Sequence, residues 1–186
     1  MSDGAAKAGL PVLLFADAAG FAAWLGDRTA AGAWLMFAKK GTDAVSLTRQ
    51  EAIDAALCEG WIDGQAATWD DRFFLVRFTP RRPRASWSQV NRERASELID
   101  EGRMRDAGLA QVAAAREDGR WDAAYPPSST ALPPPDLQAA LDADPAAAAR
   151  FAAMRKGERY ALILRLMNAK LAETRSRYIS IFLAGR

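Results

Sequence analysis

The sequence contains no histidine and a single cysteine, Cys58, among its 186 residues. Without histidine there is no His-ligated zinc site, no Ser-His-Asp or Cys-His catalysis, and no histidine proton switch. One cysteine can neither form an internal disulfide nor complete a four-cysteine metal site. Glycine-rich nucleotide loops are missing as well. We therefore expect neither a metal nor another cofactor.

Long hydrophobic runs are also missing from the sequence. The longest uninterrupted apolar stretch near the start covers residues 10–16, far fewer than the roughly 20 residues that a membrane-spanning helix needs. Asp3 precedes the only early cation, Lys7, and Asp17 ends the apolar run, which is unlike a signal peptide. We expect a cytoplasmic protein with no membrane span.

The charged residues are distributed unevenly, although the net charge is only +2. Residues 77–94 contain six arginines against one acid, and residues 155–177 contain seven cations against two acids. This asymmetry predicts two basic surfaces that could meet an anionic partner. The alternative is that arginines simply occupy every solvated face of an alanine- and arginine-rich protein.

The first part of the chain predicts a mixture of strands and helices. Residues 1–11 are expected to be a disordered lead-in. Asp17 can cap a helix with Phe21, Trp24 and Leu25 on one face, ended by Gly32. Residues 33–39 are apolar on both faces, which predicts a central or well-covered strand.

The best-marked helix follows this strand. Thr48 and Glu51 form a capping box, and Gly60 provides a C-terminal stop. Alternating residues at 61–67 and 73–79 then predict an antiparallel hairpin. A further helix is expected to begin near Ser86, with Gln89 completing its cap and Trp87 within it.

We predict an α+β fold with a small antiparallel-rich sheet of three or more strands covered by helices, followed by an all-helical C-terminal region. The predicted organisation is an α+β domain with an N-terminal tail over residues 1–118. A proline-rich linker follows over 119–135, and the helical region covers 136–186.

Three stretches of the sequence resemble one bacterial protein family. The first, at residues 51–63, ends in Trp-Ile-Asp. The second, at 77–91, contains Phe-Thr-Pro-Arg-Arg and is followed by Ile-Asp-Glu-Gly-Arg-Met at 99–104. The third, at 159–175, ends in Glu-Thr-Arg. Together they resemble the YdeI/OmpD-associated, or bacteriocin-protection, family.

The family is named for protection against bacteriocins and cationic antimicrobial peptides and for association with an outer-membrane porin. The resemblance therefore implies a bacterial protein with a protective or stress-related role. It supplies no catalytic residue that could be transferred to this chain.

Four arginines at the end of the hairpin and just after it form the main candidate site, which we call the arginine corner: Arg77, Arg81, Arg82 and Arg84. Pro80 and Pro83 restrict the backbone here, so guanidinium groups could bind a phosphate or carboxylate at reduced entropic cost. Trp87 could stack on a base or on an arginine. Alternatively, these arginines pair with acids on neighbouring elements and join the sheet to a helix: Asp63, Asp70, Asp71 and nearby glutamates.

A second group of candidate residues lies on the first strand of the hairpin. Strict alternation would place Trp61, Asp63 and Gln65 on one face, where they could bind a ligand, with Lys39 extending the positive rim. Asp63 could act as a base if burial raised its pKa. The alternative is that Asp63 forms a salt bridge with an arginine.

Three functions remain open from the sequence. The favoured one is a non-enzymatic protective protein that binds an anionic small molecule or protein. The second is a nucleic-acid-binding module, which is disfavoured by four acids on the helix after Trp87: Glu93, Glu97, Asp100 and Glu101. The third is a histidine-independent enzyme using Asp63 and arginines. The oligomeric state cannot be inferred.

Overall fold

The computed structural model describes residues 5–26 and 30–185, and within them it contains five strands and eight helices. The strands are β1 (Ala6–Lys7), β2 (Leu10–Leu13), β3 (Ala33–Ala38), β4 (Trp61–Thr68) and β5 (Phe73–Pro80). The helices are α1 (Ala18–Leu25), α2 (Arg49–Cys58), α3 (Gln89–Asp100), α4 (Asp106–Glu117), α5 (Pro135–Ala143), α6 (Pro145–Ala153), α7 (Lys156–Asn168) and α8 (Ala172–Leu183).

The strands form one mixed sheet in the order β1-β2-β3-β5-β4. Strands β2 and β3 are parallel, and the other neighbours are antiparallel. The predicted α+β class is confirmed, as are the hairpin and the central position of β3. A helical C-terminal region follows, as expected.

The N-terminal segment corrects the expected disordered lead-in. Residues 5–13 join the sheet, because Ala8 and Gly9 both have positive φ, of 50° and 75°, and so form the kind of two-residue turn that suits a tight hairpin. Val12 is buried against the rest of the sheet. The first four residues of that predicted lead-in lie outside the described part of the chain.

One face of the sheet is covered by α1 and α2. The capping box of Thr48 and Glu51 begins α2 as predicted, and Asp17 caps α1. Helix α1 ends at Leu25 rather than at Gly32. Gly32 instead has a φ of 154°, and a Cβ at this position would lie 2.9 Å from the Phe78 carbonyl oxygen, so there is no room for a side chain.

A second apolar cluster lies between α2, α3 and α4. It includes Trp87, Leu98, Val112 and Trp121, so the start of the predicted proline-rich linker is packed rather than free. Helix α4 approaches the end of α2 closely at Gly108, where a Cβ would lie 2.4 Å from the Cys58 carbonyl oxygen.

The chain divides into two compact units. The first comprises residues 1–87 and 91–124, and the second comprises 88–90 and 125–186. The second unit has its own apolar cluster, formed by residues of α5 to α8: Leu137, Leu141, Ala147, Leu166 and Ile179. The three-part division predicted from the sequence stays a prediction. In the part of the chain that is described, no helix combines the length and apolarity needed to cross a bilayer.

Candidate functional site

The arginine corner contains a tight turn at residues 82–85, just after β5. The Ala85 amide donates a hydrogen bond to the Arg82 carbonyl at 3.1 Å. Pro83 occupies the second position and Arg84, with a φ of 63°, the third, which is the pattern of a type II turn. Glycine is the residue that adopts this φ most easily, so Arg84 holds a strained backbone conformation.

Arg81 and Trp87 form a buried support beneath this turn. The Arg81 guanidinium carbon lies 3.8 Å from the centroid of the Trp87 ring, and Nη2 donates to the Ser86 carbonyl at 2.9 Å. Only 4% of Arg81 and 1% of Trp87 are exposed. Of the two stacking partners predicted for Trp87, a base or an arginine, the structure shows the arginine. Helix α3 begins after Trp87, at Gln89.

In the structure these two residues support the turn from inside the protein, and their expected contact with a ligand stays a prediction. Burial removes the Trp87 ring from any surface on which a base could stack. The sequence indicated the two residue types but not their burial, because arginine is rarely found inside a protein unless it is paired. Stacking on an indole is one way of making such burial tolerable.

Arg82 and Arg84, in contrast, are exposed. Neither forms an ion pair with any residue that the structure describes. Two of the acids expected to neutralise them are engaged elsewhere. The Asp70 carboxylate accepts hydrogen bonds from the backbone amides of Arg72 and Phe73, and Asp63 pairs with Arg49.

Arg120, which was not among the candidate residues predicted from the sequence, contacts the turn at residues 82–85. Its Nη1 donates to the Ala85 carbonyl at 2.8 Å, and its Nε contacts Asp118 at 2.7 Å. The hydrogen bond from Arg120 lowers the pKa of Asp118, and the charge of Arg84 contributes in the same direction. Arg120 is 35 residues from Ala85, so no local sequence pattern could have identified this contact.

Arg77 lies apart from the turn, on β5. It pairs with Trp34 of β3 in the sheet register, and its Nε lies 4.0 Å from where a Cβ on Gly64 would be. The guanidinium thus passes over a glycine of β4. Arg77 is half-buried and makes no ion pair within the described ranges.

An irregularity in β4 changes the predicted face of Gln65. Asp63 lies opposite Phe78 and Ala66 lies opposite Val76, so β4 has one extra residue between these pairs. Such a bulge reverses the alternation of side chains. Gln65 is exposed within the bulge, and the expectation that it shares a face with Asp63 is wrong.

The other three candidates of this group already contact other residues of the protein: Trp61, Asp63 and Lys39. Trp61 is only 4% exposed and packs edge-on against Trp24, with ring centroids 5.5 Å apart. Asp63 forms a 2.9 Å salt bridge with Arg49, as its alternative interpretation expected, although with an arginine outside the corner. The Lys39 ammonium donates to the backbone carbonyl of Asp70 at 2.6 Å.

The geometry therefore reduces the candidate site to the exposed turn at residues 82–85, supported by Arg81, Trp87 and Arg120. Its two exposed guanidinium groups, Arg82 and Arg84, can donate bidentate hydrogen bonds to a carboxylate or phosphate. Among the residues that are described, no group of acids and cysteine is arranged to hold a metal ion.

Comparisons with known families assign the two parts of the chain separately. Residues 13–111 match the family model described as "Domain of unknown function (DUF8412)", and residues 130–184 match the one described as "Bacteriocin-protection, YdeI or OmpD-Associated". Searches of curated proteins and of solved structures found no match.

The resemblance to the bacteriocin-protection family is thus confirmed for the C-terminal segment, which contains the third of the three similar stretches. The first two stretches lie within the other match, which covers more than half of the chain. The chain belongs to the DUF8412 family and carries a segment of the YdeI/OmpD-associated, bacteriocin-protection kind at residues 130–184.

Proposed function

We propose that the chain is a non-enzymatic, cytoplasmic protein with a protective or stress-related role, and that it acts by binding an anionic ligand at the arginine corner. One observation carries this proposal. Two exposed arginines without an ion pair to any described residue flank Pro83 on a tight turn, and one of them holds a backbone conformation that favours glycine. Backbone strain of this kind is characteristic of functional positions.

The supports beneath the turn are the second argument. Arg81 hydrogen-bonds to the Ser86 carbonyl and Arg120 to the Ala85 carbonyl, so the backbone that carries Arg82 and Arg84 is held from two sides. A fixed backbone reduces the entropy that binding would otherwise remove. The side chains themselves remain available, because the fold uses neither of them in an ion pair with a described residue.

The electrostatic environment favours a ligand with more than one negative charge. The charge of Arg84 contributes to lowering the pKa of Asp118, so this carboxylate lies within electrostatic reach of the turn. Asp118 is already paired with Arg120. Two guanidinium groups separated by one residue match a compact polyanion better than a single carboxylate. The enzyme alternative requires Asp63 as a base, and Asp63 is engaged by Arg49.

The experiment compares two double variants of the full chain. Arg82→Ala/Arg84→Ala removes both exposed cations of the turn and leaves the buried Arg81 intact. Lys170→Ala/Arg177→Ala removes the same charge from two exposed positions in the second unit. Binding of citrate, pyrophosphate and a single-stranded oligonucleotide is measured by calorimetry at two salt concentrations.

We expect the corner variant to bind citrate or pyrophosphate about tenfold or more weakly than the wild type, since charge-assisted hydrogen bonds are lost. The control variant should bind like the wild type. Oligonucleotide binding that falls steeply with salt, without binding of either small anion, would instead support the nucleic-acid alternative. Equal affinities of the corner variant and the wild type for all three probes would refute the proposal.

A further inference from the structure

The second unit contains a cavity of 260 Å³ between the loop that follows Pro127 and the first turns of α7. Two serines, two cations and two aromatic rings line it: Ser128, Ser129, Lys156, Arg159, Phe151 and Tyr160. The cavity lies entirely within one compact unit. Most of its residues fall in the segment that matches the bacteriocin-protection family.

The charges that line this cavity have one sign. Lys156 and Arg159 are its only charged residues, and neither forms an ion pair with an acid in the described part of the chain. Arg159 donates from Nη1 to the Ala152 carbonyl at 3.1 Å, which leaves its other N–H groups available. The neighbouring acid, Glu158, is already paired with Arg155. The cavity is therefore positive and offers hydrogen-bond donors.

Hydrogen bonds hold the two walls of the cavity together. The Tyr160 hydroxyl donates to the Pro126 carbonyl at 2.9 Å, which joins α7 to the loop. The amides of Thr130 and Ala131 both donate to the Pro127 carbonyl at 3.0 Å, so Ser128 and Ser129 lie on a closed turn. The backbone that carries the two serines is thus fixed before any ligand binds.

We propose that this cavity binds a phosphate monoester. Two serine hydroxyls, an ammonium and a guanidinium supply donors from two sides, which suits the several oxygens of a phosphoryl group better than the two of a carboxylate. A water molecule occupies about 30 Å³ in the liquid, so the cavity has room for an organic group beside the phosphate. The rings of Phe151 and Tyr160 provide an apolar wall for that group.

The proposal is independent of the arginine corner, and the test keeps the two separate. Inorganic phosphate, glycerol phosphate, phenyl phosphate and benzoate are titrated into the full chain, with binding followed by calorimetry and by phosphorus NMR. The variants are Lys156→Ala/Arg159→Ala and Ser128→Ala/Ser129→Ala. Lys170→Ala/Arg177→Ala, which removes two exposed cations outside the cavity, serves as a charge-matched control.

We expect the two monoesters to bind more tightly than inorganic phosphate or benzoate. The cation variant should lose about tenfold or more in affinity, the serine variant several-fold, and the Lys170→Ala/Arg177→Ala control nothing. The serine variant keeps the test valid if the cation variant fails to fold, because Ser128 and Ser129 are exposed. The proposal is overturned if the monoesters do not bind at roughly 10 mM, if benzoate binds equally well, or if the folded variants bind like the wild type.

Discussion

Replacing Arg84 by glycine should stabilise the protein while weakening its binding of anions. A non-glycine residue in the left-handed region is destabilised by roughly 1–2 kcal/mol, and the substitution removes this strain. Glycine also gives the unfolded chain more freedom, which opposes the gain by about 0.4–1 kcal/mol. The expected net gain in the free energy of unfolding is therefore between about 0 and 1.6 kcal/mol, with a midpoint of about 0.8 kcal/mol.

The informative comparison is with Arg84→Ala. Alanine removes the same guanidinium but keeps a Cβ at a φ of 63°, so its stability should stay within about 0.5 kcal/mol of the wild type. Urea unfolding followed by tryptophan fluorescence is suited to this measurement, since Trp87 and Trp121 lie in the apolar cluster beneath the turn. Both variants should bind citrate or pyrophosphate more weakly than the wild type.

Substitutions at position 84 separate the contribution of the backbone from that of the side chain. If Arg84→Gly is no more stable than Arg84→Ala, the backbone of Arg84 is not strained, and the argument from strain to function is wrong. If both variants bind the anions as tightly as the wild type, the side chain is not part of the site. Arg84→Lys keeps the charge without the planar fork and should show intermediate affinity.

Three further predictions concern packing, pH and thiol reactivity. Gly108→Ala would bring a Cβ to 2.4 Å from a backbone oxygen and should lower the free energy of unfolding by about 2–3 kcal/mol. At Gly157 an added Cβ would meet no atom within 4 Å, so Gly157→Ala should leave the free energy of unfolding unchanged or raise it by up to about 0.5 kcal/mol. Equal urea midpoints for Gly108→Ala and Gly157→Ala would contradict the close packing at Gly108. Burial alone would raise the pKa of Asp54, but hydrogen bonds, chiefly from Arg94, hold it below its ordinary value. Because the folded pKa is depressed, the stability that Asp54 contributes is complete above its unfolded pKa of about 4 and is lost as the pH falls through the folded pKa. Unfolding free energies measured from about pH 6 to 3 should thus depend less on pH in Asp54→Asn than in the wild type, and parallel curves would contradict this. Burial raises the pKa of the Cys58 thiol, so maleimide should react at least about tenfold more slowly with the native than with the urea-unfolded chain; similar rates would show that the thiol is accessible.

Local signals in the sequence predicted the parts of the fold that depend on neighbouring residues. The capping box of Thr48 and Glu51 marks the start of α2, and the alternation around the turn at Asp70 marks the β4–β5 hairpin. Each pattern is complete within a few residues, so the local structure that it predicts depends little on distant parts of the chain. The apolar character of both faces of β3 likewise indicated its central position.

The corrections arise where distant residues or backbone geometry decide the outcome. Only the tertiary structure shows that Arg81 stacks on Trp87 and that Arg120 reaches Ala85. The reversed face of Gln65 did have a local signal, because a glycine within a strand pattern, here Gly64, often marks a bulge. Strict alternation should therefore not be extended through such a glycine.

The structure also changes what the charge pattern of the sequence means. Each basic segment has an excess of cations, yet the fold uses many of them internally. Arg94 pairs with Asp54 in the first segment, and Arg175 pairs with Asp136 in the second. Net charge therefore overestimates the cations available to a ligand. The exposed arginines of the turn at 82–85 and the two cations of the C-terminal cavity lie in different units, so their contributions can be measured separately.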